Sequence, residues 1–395
     1  MRVLLFAGKG GVGKTTLAAA TAVHAAARGR STLLLSTDAA HSLSDVWGKS
    51  LGAEPARLAD NLCAAELSAT HEIEESWGII RDFVARLLAS QGVDDGIADE
   101  LAILPGAEEL CYLLAIERCV RQGVADSFES LVIDCAPTAS TVRLLAMPQA
   151  LTGLVRRLFP TTRRLMSVLR PIAERALSVP IPPDPVLDRC EQILVTLDRL
   201  RRRLEDPDVT SVRLVTQAET VVLSETRRLH AVLHLFGLPV DLVVCNRVLD
   251  PAHAGADGWR AAQARCLATM EEAFTPTPLR RVTFVPARAT GKASLARLGR
   301  ELYDGVDPLA VLHRDRPMKV IRRGRDSLLA LDLPLPSARD LTLSTTGHEL
   351  CVQIGGFRRS IVLPRGLRDR SITDATLEDG RLEVRFAAPA ARKGA

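Results

Sequence analysis

The chain has 395 residues, 47% of them hydrophobic and 25% charged, with a net charge of +4, which is typical of a soluble globular protein with one large and one small domain. No apolar run approaches the roughly 18–20 residues of a membrane span, and the first predicted strand begins at Arg2, so we expect a cytoplasmic protein without stable membrane insertion or a signal peptide. The positive charge is too diffuse, and too poor in interleaved aromatic residues, to favour nucleic-acid binding.

A glycine-rich loop lies between the first predicted strand and the first predicted helix. An apolar run predicts a strand from Arg2 to Ala7, and an alanine-rich stretch predicts a helix from Thr16 to Ala27. This strand, loop and helix arrangement, with the pattern G-x-x-x-x-G-K-T, is that of a phosphate-binding P-loop. The loop and the start of the helix comprise Gly8, Lys9, Gly10, Gly11, Val12, Gly13, Lys14, Thr15 and Thr16.

Each residue type in this loop suits a triphosphate. Glycines allow successive backbone N–H groups to turn toward one anion, which side chains would block. The Lys14 ammonium can reach the β- and γ-phosphates, and the Thr15 hydroxyl can ligate Mg²⁺. The positive end of the following helix adds to the attraction. The loop therefore predicts ATP and Mg²⁺ as its ligands.

Alternating strand and helix signals continue through most of the chain. Short apolar runs at 33–35, 131–133, 242–244 and 282–285 predict strands, and helical patterns separate them. This alternation predicts an α/β fold with a mostly parallel, doubly wound sheet that binds nucleotide at the carboxyl ends of its strands. Two long helical regions, about 68–122 and 143–235, are predicted to form a helical subdomain within a P-loop ATPase domain that spans residues 1–312.

Two aspartates follow predicted strands. Asp38 lies in S-T-D-A-A-H-S-L-S-D, and Asp134 begins D-C-A-P-T-A-S-T-V-R-L-L. An aspartate at a strand end in a P-loop protein is the expected partner of Mg²⁺. The alternative is that each carboxylate only caps the helix that follows it.

These motifs resemble those of one ATPase family. The second lysine of the loop, Lys9, is similar to that of the deviant P-loops of ATPases that work as nucleotide-sandwich dimers. Residues 36–45 and 134–145 resemble the switch I and switch II motifs of the arsenical-pump and tail-anchored-protein targeting ATPases. Residues 105–109 and 243–247 resemble two further motifs of that family, so that the resemblance covers residues 1–312 in order.

The resemblance implies how nucleotide is held. Lys9 would reach across the interface of a homodimer to the partner's nucleotide, and Lys9 and Lys14 together would stabilise charge on the phosphates. Asn246, with Arg247 next to it, would recognise the adenine base at the end of a strand. Because the chain contains only one such loop, we expect it to pair with a second copy of itself.

The resemblance also implies how ATP is hydrolysed. Asp38 would orient the attacking water, Thr15 would ligate Mg²⁺, and Asp134 would support the ion through water. Two departures from the family pattern bear on this step, because Ala39 replaces the usual proline and residues 139–140 are Ala-Ser where the family has Gly-His. Without that glycine the backbone of switch II is more restricted. The sequence therefore supports nucleotide binding more strongly than it supports a movement of switch II in response to nucleotide.

Eight cysteines are scattered along the chain, and none forms C-x-x-C. They predict buried, reduced thiols rather than a zinc site. The zinc-binding C-x-x-C of the eukaryotic targeting factors is absent, so we expect any dimer to form without zinc. An arsenite or antimonite site would need several thiolates to converge in space, which the sequence spacing leaves open.

From about residue 318 the pattern changes to that of short β-strands. Apolar residues alternate with polar ones at 329–333, 350–354 and 382–386, and residues 378–381 are typical of a hairpin turn. Residues 357–364 and 375–384 resemble two signatures of the α-crystallin, small heat-shock fold. We predict an α-crystallin-like β-sandwich over 318–389, followed by a frayed tail at 390–395.

The sandwich carries the excess positive charge of the chain. Residues 317–395 contain fourteen Lys and Arg against nine Asp and Glu, a net charge of +5, whereas the rest of the chain sums to −1. Arginines 358, 359, 365, 368 and 370 are close enough in sequence to form one basic patch, although a simple solvated face is the alternative. The I-x-I tail of small heat-shock oligomers is missing, which favours a docking role over holdase activity.

The leading interpretation is a homodimeric ATPase that couples ATP hydrolysis to opening and closing of a helical surface for a hydrophobic or membrane-protein client. One alternative is the ATPase subunit of an arsenite or antimonite efflux pump, and another is an ATP-binding, chaperone-like module with little turnover. A partition or division-site ATPase is less favoured, because the ATPase part is acidic on balance and the chain ends in strands. The helical region contains only Met147 and Met166, so its apolar stripe is more consistent with an ordinary core than with a client groove.

Overall fold

A computed structural model describes most of the chain. The described residues are 1–38, 42–90, 92–94, 96, 106–125, 128–136, 142, 144–145, 147, 182–250, 257–284, 290–314, 317–323, 326–335, 337–346, 349–363, 367, 370 and 372–387. Several sequence-based predictions lie outside these residues, namely those on Ala39, Pro105, residues 139–140, the apolar stripe of 151–173, Arg365, Arg368 and the tail from 388.

The larger unit is built on an eight-stranded sheet with the order β3-β4-β2-β5-β1-β6-β7-β8. All neighbouring strands are parallel except β3 and β4, which pair antiparallel at one edge. The predicted α/β fold with a mostly parallel sheet is therefore confirmed. The strands are β1 (Arg2–Gly8), β2 (Thr32–Ser36), β3 (Ala56–Ala59), β4 (Leu62–Glu66), β5 (Ser130–Asp134), β6 (Thr210–Gln217), β7 (Val240–Val248) and β8 (Leu279–Thr283).

Helices cover both faces of this sheet, because successive side chains of a strand point to opposite faces. In β1, Leu4 and Phe6 join one buried cluster, while Val3, Leu5 and Ala7 join the other. The helices α1 and α8 cover the cluster that contains Leu4 and Phe6, and the helices α3 to α7 cover the cluster that contains Val3, Leu5 and Ala7. The helices are α1 (Lys14–Ala27), α2 (Ser42–Trp47), α3 (Ala69–Ser90), α4 (Ala107–Ala125), α5 (Asp184–Leu204), α6 (Thr220–Leu235), α7 (Asp257–Phe274) and α8 (Gly291–Tyr303).

The helical region predicted for residues 143–235 is wrong at 210–217, which form the central strand β6 beside β1. This strand was not evident from its sequence, T-S-V-R-L-V-T-Q, because an arginine stands where a buried strand usually has an apolar residue. Arg213 is fully buried, and its guanidinium lies 3.3 Å from the Asp241 carboxylate and donates to the Tyr303 hydroxyl at 2.7 Å. This pairing makes the buried charge tolerable.

The smaller unit is an antiparallel β-sandwich, as predicted. One sheet has the order β14-β15-β10-β9 and the other the order β11-β12-β13. The predicted hairpin turn joins β14 to β15, and both of its central residues, Asp379 and Gly380, have the positive φ of a tight hairpin. The strands are β9 (Met318–Arg323), β10 (Asp326–Asp332), β11 (Leu341–Thr346), β12 (Glu349–Ile354), β13 (Phe357–Val362), β14 (Ile372–Glu378) and β15 (Arg381–Phe386).

The sandwich is docked on α6. The Arg227 guanidinium donates to the carbonyl oxygens of Pro334 and Leu335 at 3.3 and 2.9 Å, and the apolar cluster beneath α6 continues into the sandwich interior. Within the described part of the chain, no helix is both long and apolar enough to cross a membrane.

The predicted basic patch on the sandwich is wrong for Arg359. Adjacent residues of a strand face opposite sides, so Arg358 is exposed beside Cys351 while Arg359 turns toward α6 and donates to the carbonyl oxygen of Leu235. Arg370 contacts the Ser327 hydroxyl within the sandwich itself. Arg359 and Arg370 are therefore engaged in contacts within the protein, so the described arginines do not all lie on one surface.

Candidate nucleotide-binding site

The glycine-rich loop leaves the carboxyl end of β1, in the middle of the large sheet, and leads into α1. Two of its glycines permit close approach to neighbouring strands. A Cβ on Gly8 would lie 2.2 Å from the Val215 carbonyl oxygen of β6, and a Cβ on Gly13 would lie 2.3 Å from Nδ2 of Asn246 on β7. Gly13 also has a φ of +99°, in the left-handed region that favours glycine. The loop is thus seated against both strands, which is the prerequisite for a fixed phosphate cradle.

The tip of the loop is open. Gly10 and Gly11 are exposed, and nothing lies within 4 Å of a Cβ built on either of them. Val12 is buried and anchors the loop, while Thr16 lies in the first turn of α1. That first turn contains no acidic residue, so the positive end of the helix is not neutralised by its own side chains. The loop can therefore present backbone N–H groups to an anion.

The two lysines of the loop have different surroundings. Lys14 is only 5% exposed, and its ammonium folds back over the loop to donate to the Lys9 carbonyl oxygen at 3.2 Å. The Lys9 side chain is 38% exposed, and its ammonium lies 3.1 Å from the Glu225 carboxylate on α6. Lys14 is therefore placed for a phosphate bound within its own loop, whereas Lys9 lies on the outer side of the loop.

Asp134 ends β5 and is completely buried. The Ser36 hydroxyl donates to its Oδ2 atom at 3.3 Å, while its Oδ1 atom has no hydrogen-bond partner among the described residues. Burial raises the pKa of this carboxyl to about 7, although the Thr15 hydroxyl and the Lys14 ammonium act in the opposite direction. A buried carboxylate oxygen without a partner, beside a threonine hydroxyl, fits the oxygen ligands that Mg²⁺ takes.

The two predicted switch segments meet at this point, since β2 and β5 are adjacent in the sheet. The Thr37 hydroxyl donates to the Asp134 carbonyl oxygen and accepts from the Ala136 amide, both at 3.3 Å. Asp38 is half-buried, its amide donates to the Ser36 hydroxyl, and its charge contributes to the raised pKa of Asp134. The structure therefore brings Asp38 and Asp134 to the loop, as the strand order requires.

Two hydroxyl groups at the site were not singled out from the sequence. The Ser42 hydroxyl, at the start of α2, lies 3.0 Å from the Thr15 hydroxyl, and the Ser36 hydroxyl joins Asp38 to Asp134. Both serines lie inside the segment that resembles switch I, so the sequence contained a signal that could have identified them. Their role depends on the neighbouring strand and loop, which the segment alone does not reveal.

Asn246 lies at the carboxyl end of β7 and is bound to the loop. Its side-chain amide donates to the Val12 carbonyl oxygen at 2.8 Å, and its Oδ1 atom accepts from the Arg247 amide at 2.9 Å. Arg247 has a φ of +58° at an irregularity in the pairing of β7 with β8 between Cys245 and Val248, and its side chain is exposed. An asparagine amide has a second N–H and a second oxygen lone pair, so this geometry leaves Asn246 capacity to contact a base.

Comparison with known families identifies the larger unit. A family model described as an anion-transporting ATPase matches residues 1–304, which is about three quarters of the chain. The chain belongs to this ATPase family. A second model, described as an HSP20-like domain found in such ATPases, matches residues 324–386 and confirms the α-crystallin-like sandwich.

Several relatives are similar to this ATPase over almost their whole length. A protein of Chlorobaculum tepidum named "putative arsenical pump-driving ATPase" is 35% identical over 98% of this chain and 96% of its own. A protein of Aquifex aeolicus named "putative arsenical pump-driving ATPase 1" is 31% identical over 97% of this chain and 99% of its own. An uncharacterized protein of Streptomyces coelicolor is 34% identical over 98% of this chain and 97% of its own.

The thiols of the ATPase are spread over several helices and strands. All eight cysteines are free, and the described part of the chain contains no group of three or more His, Cys, Asp or Glu side chains arranged to hold a metal ion. Burial raises the pKa of Cys111 and of Cys245 to about 12. These two thiols stay protonated at neutral pH, whereas a soft metal or metalloid is bound by thiolates.

Proposed function

We propose that this ATPase works as a homodimer in which Lys9 of each copy reaches the nucleotide of the other. The observation that carries this proposal is the separation of the two loop lysines. Lys14 is buried over its own loop, while Lys9 is half-exposed on the outer side, where a ligand of the same subunit does not need it. A second copy that faces the loop would place its own nucleotide on that side.

The residues of the site suit phosphoryl transfer to water. Lys14 and the loop amides hold the β- and γ-phosphates, and Asp38 orients the attacking water next to them. Thr15 and Asp134 would hold Mg²⁺, which when bound neutralises charge on the phosphate oxygens. The Ser36 hydroxyl fixes Asp134 in position, and the Ser42 hydroxyl fixes Thr15. Asn246 ties the base-binding strand to the loop and would contact adenine.

We further propose that hydrolysis opens and closes a helical surface for a client. In the described part of the helical subdomain, Ile79 on α3 and Val195 on α5 are both more than half exposed. Val195 lines a cleft of about 760 Å³ between α3, α4 and α5, and Ile79 lines a neighbouring one. The lining of the larger cleft combines four arginines with three acidic residues, namely Arg118, Arg121, Arg189, Arg199, Glu117, Asp188 and Glu191. Because Arg118 and Arg199 are paired with Glu72 and Glu117, the exposed aliphatic side chains are the feature that favours a partner, and they suit an apolar segment.

An arsenite or antimonite pump subunit is the second candidate, favoured by the names of the relatives. The protonated thiols of Cys111 and Cys245 count against it, as does the absence of a metal-binding cluster among the described residues. The test is ATP turnover with and without arsenite. Stimulation of several fold, lost when single cysteines are replaced by serine, would favour the pump over the client hypothesis.

The site itself is tested by three variants of the full chain. Lys14→Ala should abolish ATP binding, because the loop loses its phosphate cation, whereas Asp38→Asn should keep ATP affinity and lose turnover, because only the water-orienting carboxylate changes. Lys9→Ala should retain ATP binding but weaken nucleotide-dependent dimerisation, measured by light scattering against protein concentration. Lys49→Ala removes an exposed lysine outside the loop and is the control.

Three results would contradict this proposal. Unchanged ATP affinity in Lys14→Ala would overturn the site, and parent-level turnover in Asp38→Asn would remove its assigned role. A parent protein that stays monomeric with a non-hydrolysable ATP analogue would exclude the dimer. Binding without measurable turnover in the parent would favour the alternative of a chaperone-like module that binds ATP but hardly hydrolyses it.

A further inference from the structure

The ammonium of Lys9 is engaged within its own subunit. It lies 3.1 Å from the carboxylate of Glu225, and the two side chains are 38% and 35% exposed. Glu225 lies in the second turn of α6, the helix that follows β6. Because β6 is the neighbour of β1, the loop after β1 and the first turns of α6 emerge side by side at the carboxyl edge of the sheet.

This contact directs the Lys9 side chain along the surface of its own subunit. The backbone of Lys9 is held separately, since its carbonyl oxygen accepts from Lys14 and the loop packs on β6 and β7 through Gly8 and Gly13. The ion pair therefore decides where the ammonium lies, while the loop keeps its conformation without it. For Lys9 to reach the nucleotide of a second copy, the pair with Glu225 must break.

We propose that Glu225 is a positioning residue for Lys9, an inference that rests on the proposed homodimer. It holds the ammonium within its own subunit and so opposes closure of the dimer until the phosphates of a bound nucleotide compete for that charge. A triphosphate competes effectively, because it offers several anionic oxygens in a less exposed setting than a surface carboxylate.

The strength of the pair suits such a role. A partly exposed ion pair shifts an equilibrium by up to about fivefold, and salt weakens it further. A symmetric dimer has two such pairs to break, so the two effects multiply to a factor of up to about 25. The combined effect of the two ion pairs is strong enough to disfavour a dimer without nucleotide, and weak enough for the phosphates of a bound nucleotide to overcome.

The test is Glu225→Gln in the full chain, which keeps the size of the side chain and removes its charge. With a non-hydrolysable ATP analogue at saturation, we expect the dimer dissociation constant to fall by roughly 5- to 25-fold, measured by light scattering against protein concentration. Affinity of the dilute monomer for the analogue should stay within about twofold. Glu54→Gln removes one exposed carboxylate outside the loop and α6, and it should leave both quantities unchanged.

Two further measurements show whether Glu225 acts through Lys9. In a Lys9→Ala background, Glu225→Gln should have no effect on dimerisation, and at about 0.5 M salt the parent and Glu225→Gln should converge, because an exposed pair is screened. An equal gain without Lys9, or a dimer that is unchanged or weaker in Glu225→Gln, would overturn this inference. The homodimer proposal would survive that result, since only failure of the parent to dimerise with nucleotide contradicts it.

Discussion

The contact between Gly13 and Asn246 allows the loop geometry to be tested quantitatively. A Cβ on residue 13 would lie 2.3 Å from Nδ2 of Asn246, closer than real contacts allow, and the φ of +99° is unfavourable for any residue except glycine. Gly13→Ala should therefore strain the backbone and push the amide away from the Val12 carbonyl oxygen, which it now contacts at 2.8 Å.

The expected free-energy cost of Gly13→Ala has two parts. A non-glycine residue in a sparsely populated backbone region costs about 1–3 kcal/mol. Loss of the amide hydrogen bond adds about 1 kcal/mol. The empty variant loop relaxes away from this strained conformation, and ATP binding has to restore it. The sum of roughly 2–4 kcal/mol therefore corresponds to a rise in the ATP dissociation constant of about 30-fold or more, since about 1.4 kcal/mol is tenfold.

A double-mutant cycle with Asn246→Ala separates these parts. When the asparagine is already shortened, the methyl group introduced by Gly13→Ala no longer meets Nδ2 and no hydrogen bond remains to be lost, so only the backbone strain is added. The double variant should be less impaired than the sum of the two single variants by about 1 kcal/mol, or about fivefold in affinity. Fluorescence titration with a labelled ATP gives the four dissociation constants. Additive effects would refute the direct contact, and unchanged affinity in Gly13→Ala would refute the loop geometry itself.

Three further predictions concern the remainder of the molecule. Chelation of metal ions should leave the nucleotide-dependent dimer intact apart from the need for Mg²⁺, and a dimer rescued only by zinc would reveal a metal site. Burial, with the neighbouring His234, holds the pKa of His230 well below its ordinary value, so the unfolded chain takes up a proton that the folded protein does not. The free energy of unfolding should therefore fall as the pH drops below about 6.5, and His230→Gln should flatten this dependence between about pH 6.5 and 5 in thermal unfolding. Removal of residues 318–395 should preserve ATP binding, because every residue assigned to the site precedes 318, but should lower the unfolding temperature, because α6 loses its cover. Loss of ATP binding in the truncated chain would make the sandwich part of the ATPase core.

Much of this molecule could be predicted from local sequence. The phosphate-binding loop is one continuous run from Gly8 to Thr16, so its chemistry needs no knowledge of the fold. Most strands of the sandwich were equally evident, because alternation of buried and exposed residues is visible within a few positions, as at Leu382, Val384 and Phe386. The strands β9 and β11 were not predicted. The positions of Asp38 and Asp134 followed from their place at strand ends.

Other features depended on the order of strands in the sheet. Asn246 and Val12 are separated by 234 positions, and their contact follows from the path of β7 past the loop. The same dependence explains why Glu225 beside Lys9, the buried strand around Arg213 and the docking of Arg359 on α6 were not predicted. Periodicity reports which face of an element is buried, but not which element covers it. The sequence by itself therefore determined the chemistry of the phosphate loop and the two fold classes, while the partners of its charged residues were decided only by tertiary packing, because a charge is expected to be exposed until a distant partner makes its burial possible.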